Sequence, residues 1–253
     1  MGLKFAANLT HLFAELPYLD RFDAAAEAGF EAVEVLFPYD VAAGETHQAL
    51  VRNGLGMVLI NAPPPNYTGG DRGYAAIPGR EGRFRYDMRR VFRYVEALGV
   101  NVVHVMAGVA EGAEARAVFI ENLKQACADA PDGLILTIEP LNKAAQPGYF
   151  LNCFDLAKDV IEAVGAPNLG LQFDSYHAQT ITGDAVACYK AVQAHVRHIQ
   201  IGDAPGRTAP GTGDIDFDAL FAAIEASGYE GWVSAEYDPG GKTQDSLGWR
   251  KGR

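Results

Sequence analysis

A (β/α)8 TIM barrel is the fold this sequence predicts, on three observations. One grammar recurs along the chain: a helix end, a glycine, a short turn, then an apolar strand. It appears in AEAGFEAVEV (26–35), EALGVNVVHV (96–105), EAVGAPNLGLQ (162–172) and EASGYEGWVSAE (225–236), with RNGLGMVLI (52–60) as a looser copy. Gly29, Gly54, Gly99, Gly165 and Gly228 stand where a helix ends on a left-handed residue. Helices alternating with strands at intervals of roughly 25–35 residues give a parallel sheet with crossover helices, and eight such strands in 253 residues match a closed barrel. The rival, a doubly wound open sheet, lacks its Gly-rich fingerprint after the first strand, where Asn8, Leu9 and Thr10 stand instead. No linker of Ser/Gly/Pro character divides the sequence, so one domain over 1–253 is expected.

Apolar runs bounded by turn residues place strands at 4–9, 32–36, 57–61, 102–106, 134–139, 169–174, 196–201 and 232–236. Helical periodicity falls between them at 18–28, 46–53, 83–98, 113–128, 154–164, 183–194 and 217–227. After Glu236 a short polar tail remains, so the eighth helix should be short or irregular. The segment 62–82 is long for a barrel loop and carries Arg72 and Arg80, with Arg83 and Arg85 just beyond. It reads as a lid, or else as an inert excursion.

Composition narrows the function classes. A net charge of −11 and a pI near 5.0 argue against a broad nucleic-acid surface, since that affinity rests on Lys/Arg contacts to phosphate. No run is long and apolar enough to span a bilayer, and no basic-then-apolar leader precedes Leu3. Cys127, Cys153 and Cys188 show no paired spacing and read as reduced cysteines of a cytoplasmic protein.

In a barrel the loops after the strands converge on one mouth, so the residues ending the strands are the ones to read. The run LILTIEPLN (134–142) ends its strand on Glu139, and Pro140 stops the ladder there. Taken alone, Glu139 could be a structural carboxylate bonded to backbone amides or an arginine. The next strands end on Asp174, Gln200 and Glu236. Three carboxylates crowded together repel unless some protonate or a cation sits among them. Oxygen ligands without cysteine suit Mg²⁺ or Mn²⁺ better than Zn²⁺. Four protein oxygens would leave two octahedral positions for a chelating 2-hydroxy carbonyl compound, and proton transfer between adjacent carbons then needs a base on each side. Glu139 and Glu236 are the candidates for that pair; the competing reading is a polar barrel mouth with no metal. His177, three residues past Asp174, reads as a substrate hydrogen-bonder or proton shuttle, or as a packed histidine. Arg207 could pair with a substrate carboxylate, or face solvent from its turn. His11, His47, His104, His195 and His198 show no ligand spacing and are assigned structural roles.

With these residues in hand, the chain resembles the hydroxypyruvate isomerase family of xylose-isomerase-like TIM barrels over nearly its whole length. The stretches that carry the likeness are FAANLTHLFAELPYLDRF, VEVLFPYD, IPGRE, IEPLN, QFDSYHAQ, HIQIGDAPGR, APGTGDIDFDALF and GYEGWVSAEYDP. The resemblance implies a divalent metal and two glutamates as acid/base pair. By matching motifs it gives that role to Glu139 and Glu236, the other metal positions to Asp174 and Gln200, and substrate binding to His177, Asn142 and Arg207. Related ketose epimerases carry histidine where this chain has Gln200, and a glutamate where it has Ala145. Those departures favour small keto acids over sugars. IEPLN looks like hydroxypyruvate isomerase, whereas HVMAGV followed by AVFIENL looks like the sister 2-oxo-tetronate isomerases. The expected reaction interconverts hydroxypyruvate and 2-hydroxy-3-oxopropanoate through a metal-bound enediolate, the alternative substrate being a four-carbon 2-keto acid. Neither nucleic acid nor membrane is expected as a partner, and a homo-oligomer is compatible with the sequence. The rivals from other classes are a metal-dependent phosphodiesterase and a ligand-binding barrel without chemistry.

Overall fold

The computed structural model describes residues 2–63 and 72–251. The middle of the segment expected to form a lid therefore lies outside the described residues. Among the described residues, nine parallel strand segments form the sheet: β1 (Lys4–Asn8), β2 (Ala32–Glu34), β3 (Gly56–Met57), β4 (Leu59–Ala62), β5 (Val102–Val105), β6 (Ile135–Ile138), β7 (Leu169–Asp174), β8 (Val196–Ile201) and β9 (Trp232–Ala235). They occupy the eight staves of a barrel, because β3 and β4 are one stave interrupted at Val58. Gly56–Met57 pairs with β2 and Leu59–Ala62 with β5. Val58 spans both sides: its N–H donates to Val33 O at 2.8 Å and its carbonyl accepts from Val102 N at 3.0 Å, which closes the ring.

The barrel interior is layered by the two-residue period of the strands. Ala6, Ala32, Leu59 and Val102, backed by Ile135 and Trp232, make an apolar floor separate from the main core. Two residues further along the same strands stand Asn8, Glu34, Asn61, His104, Thr137 and Ser234, all buried. Gln172 and His198 complete this polar row, and Glu139, Asp174, Gln200 and Glu236 stand one pleat above it. Residues of the opposite parity, such as Leu136, Ile138, Leu171 and Phe173, pack outward into the main core under the helices.

The helices are α1 (Asp20–Glu27), α2 (Ala43–Asn53), α3 (Glu81–Leu98), α4 (Gly112–Asp129), α5 (Phe154–Val164), α6 (Ser175–Thr182), α7 (Ala185–Val192), α8 (Phe217–Ala226) and a single turn α9 (Thr243–Ser246). Gly54, Gly99 and Gly165 end their helices at positive φ, as their spacing implied. The short, irregular eighth crossover is also as expected. Helix α6 differs from expectation, since 175–182 read as loop. Asp174 caps it: Oδ1 accepts from His177 N at 3.1 Å, so one carboxylate ends a strand and starts a helix. Among the described residues no helix is long and apolar enough to cross a membrane.

Candidate active site

Four strand-end residues converge at the mouth as the sequence suggested, and each is buried. Glu139 Oε2 accepts from Gln172 Nε2 at 2.9 Å and lies 3.4 Å from His104 Nδ1. Gln172 Nε2 also donates to Gln200 Oε1 at 2.7 Å, while Thr137 Oγ1 donates to Gln172 Oε1 at 3.0 Å. Gln200 Nε2 in turn donates to Glu34 Oε1 at 2.6 Å. Glu34 takes a second donor from Asn8 Nδ2 at 2.7 Å and lies 2.8 Å from His198 Nε2. The amide of Gln200 is thus held at both ends, with its carbonyl toward Gln172.

His177 and Asn142 act as one unit. Asn142 N donates to His177 Nδ1 at 3.0 Å, and Asn142 Nδ2 lies 2.9 Å from the same nitrogen. A backbone amide can only donate, so Nδ1 is the acceptor and the neutral ring carries its proton on Nε2. That Nε2 faces Glu139 Oε1 at 4.0 Å. Asn142 Oδ1 accepts from Ala145 N at 2.9 Å. Asn142 therefore stands behind His177 and orients it.

Arg207 turns inward rather than to solvent. Its Nη2 donates to Asp174 Oδ2 at 2.7 Å and also to Glu236 Oε1. Its backbone sits at φ 52°, a left-handed conformation rarely adopted by a residue with Cβ. The loop behind it is secured by buried Asp203, whose carboxylate accepts five backbone N–H groups, from Ala204, Gly211, Thr212, Gly213 and Ile215. Gly213 is obligatory there, because a Cβ would stand 2.1 Å from Ala204 O.

The two glutamates are driven apart electrostatically. Burial, then the charges of Asp174 and Glu236, push Glu139 well above the usual carboxylate range. Burial pushes Glu236 up as well, but the Arg207 guanidinium and His11, 3.5 Å away, outweigh it and hold that carboxyl down at about 2. Desolvation lowers His177 and brings His104 down to about 3. A cavity of about 90 Å³ opens between Glu139, Glu236, His104, His177 and Arg207. A larger one, about 430 Å³, lies at the far end of the barrel beside Lys4, Trp232 and Arg250, where among the described residues no strand-end carboxylate reaches; Glu139 and Glu236 line the smaller.

The donor set fits a divalent cation. Ligand atoms of Glu139, Asp174 and His177 all lie within 4.8 Å of one another, and Glu236 Oε2 is buried without a hydrogen-bond partner among the described residues. One guanidinium faces three strand-end carboxylates, which leaves negative charge to balance. Within the cluster, oxygen donors suit the cation better than His177, whose Nδ1 is already an acceptor.

Glu34, His104, Gln172, His198 and Asp203 surround the strand-end residues beyond those the sequence indicates, and His104 and His198, for which spacing gives only structural roles, stand inside the polar row. The strand period carries the signal for two of them, since Gln172 and His198 stand two residues before Asp174 and Gln200 on the same faces of their strands.

This assembly of strand-end carboxylates over a closed parallel barrel defines a (β/α)8 enzyme with a polar, metal-compatible mouth. The model of the xylose isomerase-like TIM barrel matches residues 22–253, and the chain belongs to that family. It is 44% identical to 2-oxo-tetronate isomerase of Cupriavidus necator over 98% of this chain and 97% of that one. Against hydroxypyruvate isomerase of Escherichia coli the identity is 38%, over 98% of each chain. A solved structure from Brucella melitensis described as an AP endonuclease of family 2 superposes with a TM-score of 0.94 at 40% identity, covering 97% of both chains. These full-length relationships place the chain among isomerases within the family.

Proposed function

We propose that this enzyme interconverts a small 2-keto acid with its 3-oxo isomer by proton transfer between adjacent carbons. Glu139 and Glu236 serve as the acid/base pair, and Mg²⁺ or Mn²⁺ is held by Glu139, Asp174, Gln200 and Glu236. The observation that carries this reading is the pair of buried strand-end glutamates, Glu139 and Glu236, lining one cavity with His177 and Arg207, the arrangement proton transfer between adjacent carbons needs. The cation, when bound, polarises the substrate carbonyl and acidifies the adjacent C–H.

For hydroxypyruvate, one glutamate takes a proton from C3 and a proton is delivered to C2. The hydroxyl proton passes from the C3 oxygen to the C2 oxygen, so atoms and charge balance. The glutamates exchange roles with the direction of reaction. Arg207 pairs with the substrate carboxylate. As it leaves Glu236 to do so, the influence that depresses Glu236 weakens and its basicity returns. His177, aimed by Asn142, offers its Nε2 proton to a substrate oxygen. The test is turnover of hydroxypyruvate and 2-oxo-tetronate in D₂O. Solvent deuterium at carbon in the product is expected; turnover with no label would sink proton transfer in favour of a hydride shift.

A further inference from the structure

Three polar atoms at the edge of the same cavity have no hydrogen-bond partner among the described residues: Asn61 Oδ1 and both ring nitrogens of His104. Their side chains line the cavity, and the residues are 4% and 1% exposed. Leaving such groups buried and unpaired is costly, and in a cavity they pair with water or with the polar groups of a ligand that displaces it. They share one wall. Asn61 is on β4 and His104 on β5, the third and fourth staves, and in an eight-stave ring these face the seventh and eighth. Glu236 follows the eighth stave and Arg207 lies in the loop after the seventh, so the two walls oppose each other across the cavity. Glu139, on the fifth stave, lies 3.4 Å from His104 Nδ1.

The chemistry of the two walls differs. Arg207 presents donors alone, which suits a carboxylate. The opposite wall offers an acceptor, Asn61 Oδ1, and at least one N–H from the His104 ring in any protonation state. A carboxylate facing Asn61 Oδ1 would meet acceptor with acceptor, whereas a hydroxyl both donates and accepts. Resting on the isomerase reading above, we infer that Asn61 and His104 bind a substrate hydroxyl one carbon beyond the reacting pair, making a four-carbon 2-oxo acid with a C4 hydroxyl the preferred substrate. With the carboxylate at Arg207 and the reacting carbons beside Glu139 and Glu236, a three-carbon acid ends at its reacting C3 and leaves this wall unsatisfied. A site built to pair a hydroxyl discriminates against the analogue lacking it.

The test compares kcat/KM for 2-oxo-tetronate and hydroxypyruvate in the full chain and in Asn61→Ala and His104→Phe. Wild type should favour the four-carbon acid, and each variant should lower the four-to-three-carbon ratio about ten-fold, equivalent to ~1.4 kcal/mol. Because the His104 nitrogens make no hydrogen bond among the described residues, and Nδ1 meets the protein only through the 3.4 Å contact to Glu139, His104→Phe should keep its Tm; if it fails to fold, Asn61→Ala decides. An unchanged ratio, or equal losses on both substrates, overturns the inference while leaving the isomerase reading standing. Turnover of neither acid by wild type overturns both.

Discussion

The guanidinium of Arg207 lies on the carboxylate of Glu236, and the nitrogen that makes this contact also donates to Asp174 at 2.7 Å. Arg207 and a divalent cation therefore answer the same need, positive charge among strand-end carboxylates. Arg207→Gln should destabilise the metal-free protein by about 3–5 kcal/mol, the cost of stripping a buried charge of its partner. Added Mn²⁺ should then raise Tm more in the variant than in wild type. Equal metal-free Tm values for the two proteins would refute this account of Arg207.

Glu139→Gln and Glu236→Gln should each lower kcat/KM by about 10²–10⁴-fold, the range general acid–base groups contribute. Circular dichroism should show an intact fold in both. Near-full activity in either variant would remove that residue from the acid/base pair.

Stability should depend on pH through His104. Its folded pKa, near 3, is below the ordinary value of 6.5, so the unfolded chain binds the proton more readily. The contribution is complete above pH 6.5 and is lost as pH falls toward 3. Between pH 7 and pH 4 it is worth on the order of 3 kcal/mol. Glu139 acts in the opposite sense: its raised pKa favours the folded state below pH 4.5, and that advantage is lost as pH rises through the folded value. Urea titrations of metal-free protein at pH 7 and pH 4 should show His104→Phe losing less stability on acidification than wild type. Parallel losses would assign the acid sensitivity elsewhere.

Asp203→Ala should act on Arg207 from a distance. Removing an acceptor of five backbone donors frees the loop, at a cost on the order of 3 kcal/mol for buried donors left unpaired. Misplacing the guanidinium should lower kcat/KM about 10²-fold. KM should rise more than kcat falls, because Arg207 is assigned to the substrate carboxylate. A pure loss of Tm with unchanged kinetics would confine Asp203 to a structural role.

The barrel was legible in the repeated glycine stops and strand runs, and Glu139, Asp174, Gln200 and Glu236 stood out because each closes such a run. The less legible part of the site lies inside the strands. Glu34 in AVEV and His104 in VVHV look like interruptions of apolar runs until the barrel closes and brings Glu34 to His198 across 164 residues. Helix α6 is hard to see in the sequence because Asp174 is at once the end of a strand and the cap of the helix that follows. The inward turn of Arg207 follows from its left-handed backbone and the clasp at Asp203, neither of which spacing conveys.

The row from Glu34 through Gln200 and Gln172 to Glu139 has fixed donor directions: Gln172 gives its hydrogens both ways, to Glu139 and to Gln200, its oxygen accepts from Thr137, and Gln200 passes its own hydrogens on to Glu34. Such a row resists piecemeal change. Reversing one amide sets oxygen against oxygen at the next step, so an altered residue survives best alongside a matching change next to it. Histidine at position 200 could keep the direction by donating to Glu34 and accepting from Gln172. That makes positions 34, 172 and 200 a set expected to change together when barrels of this kind take on new substrates.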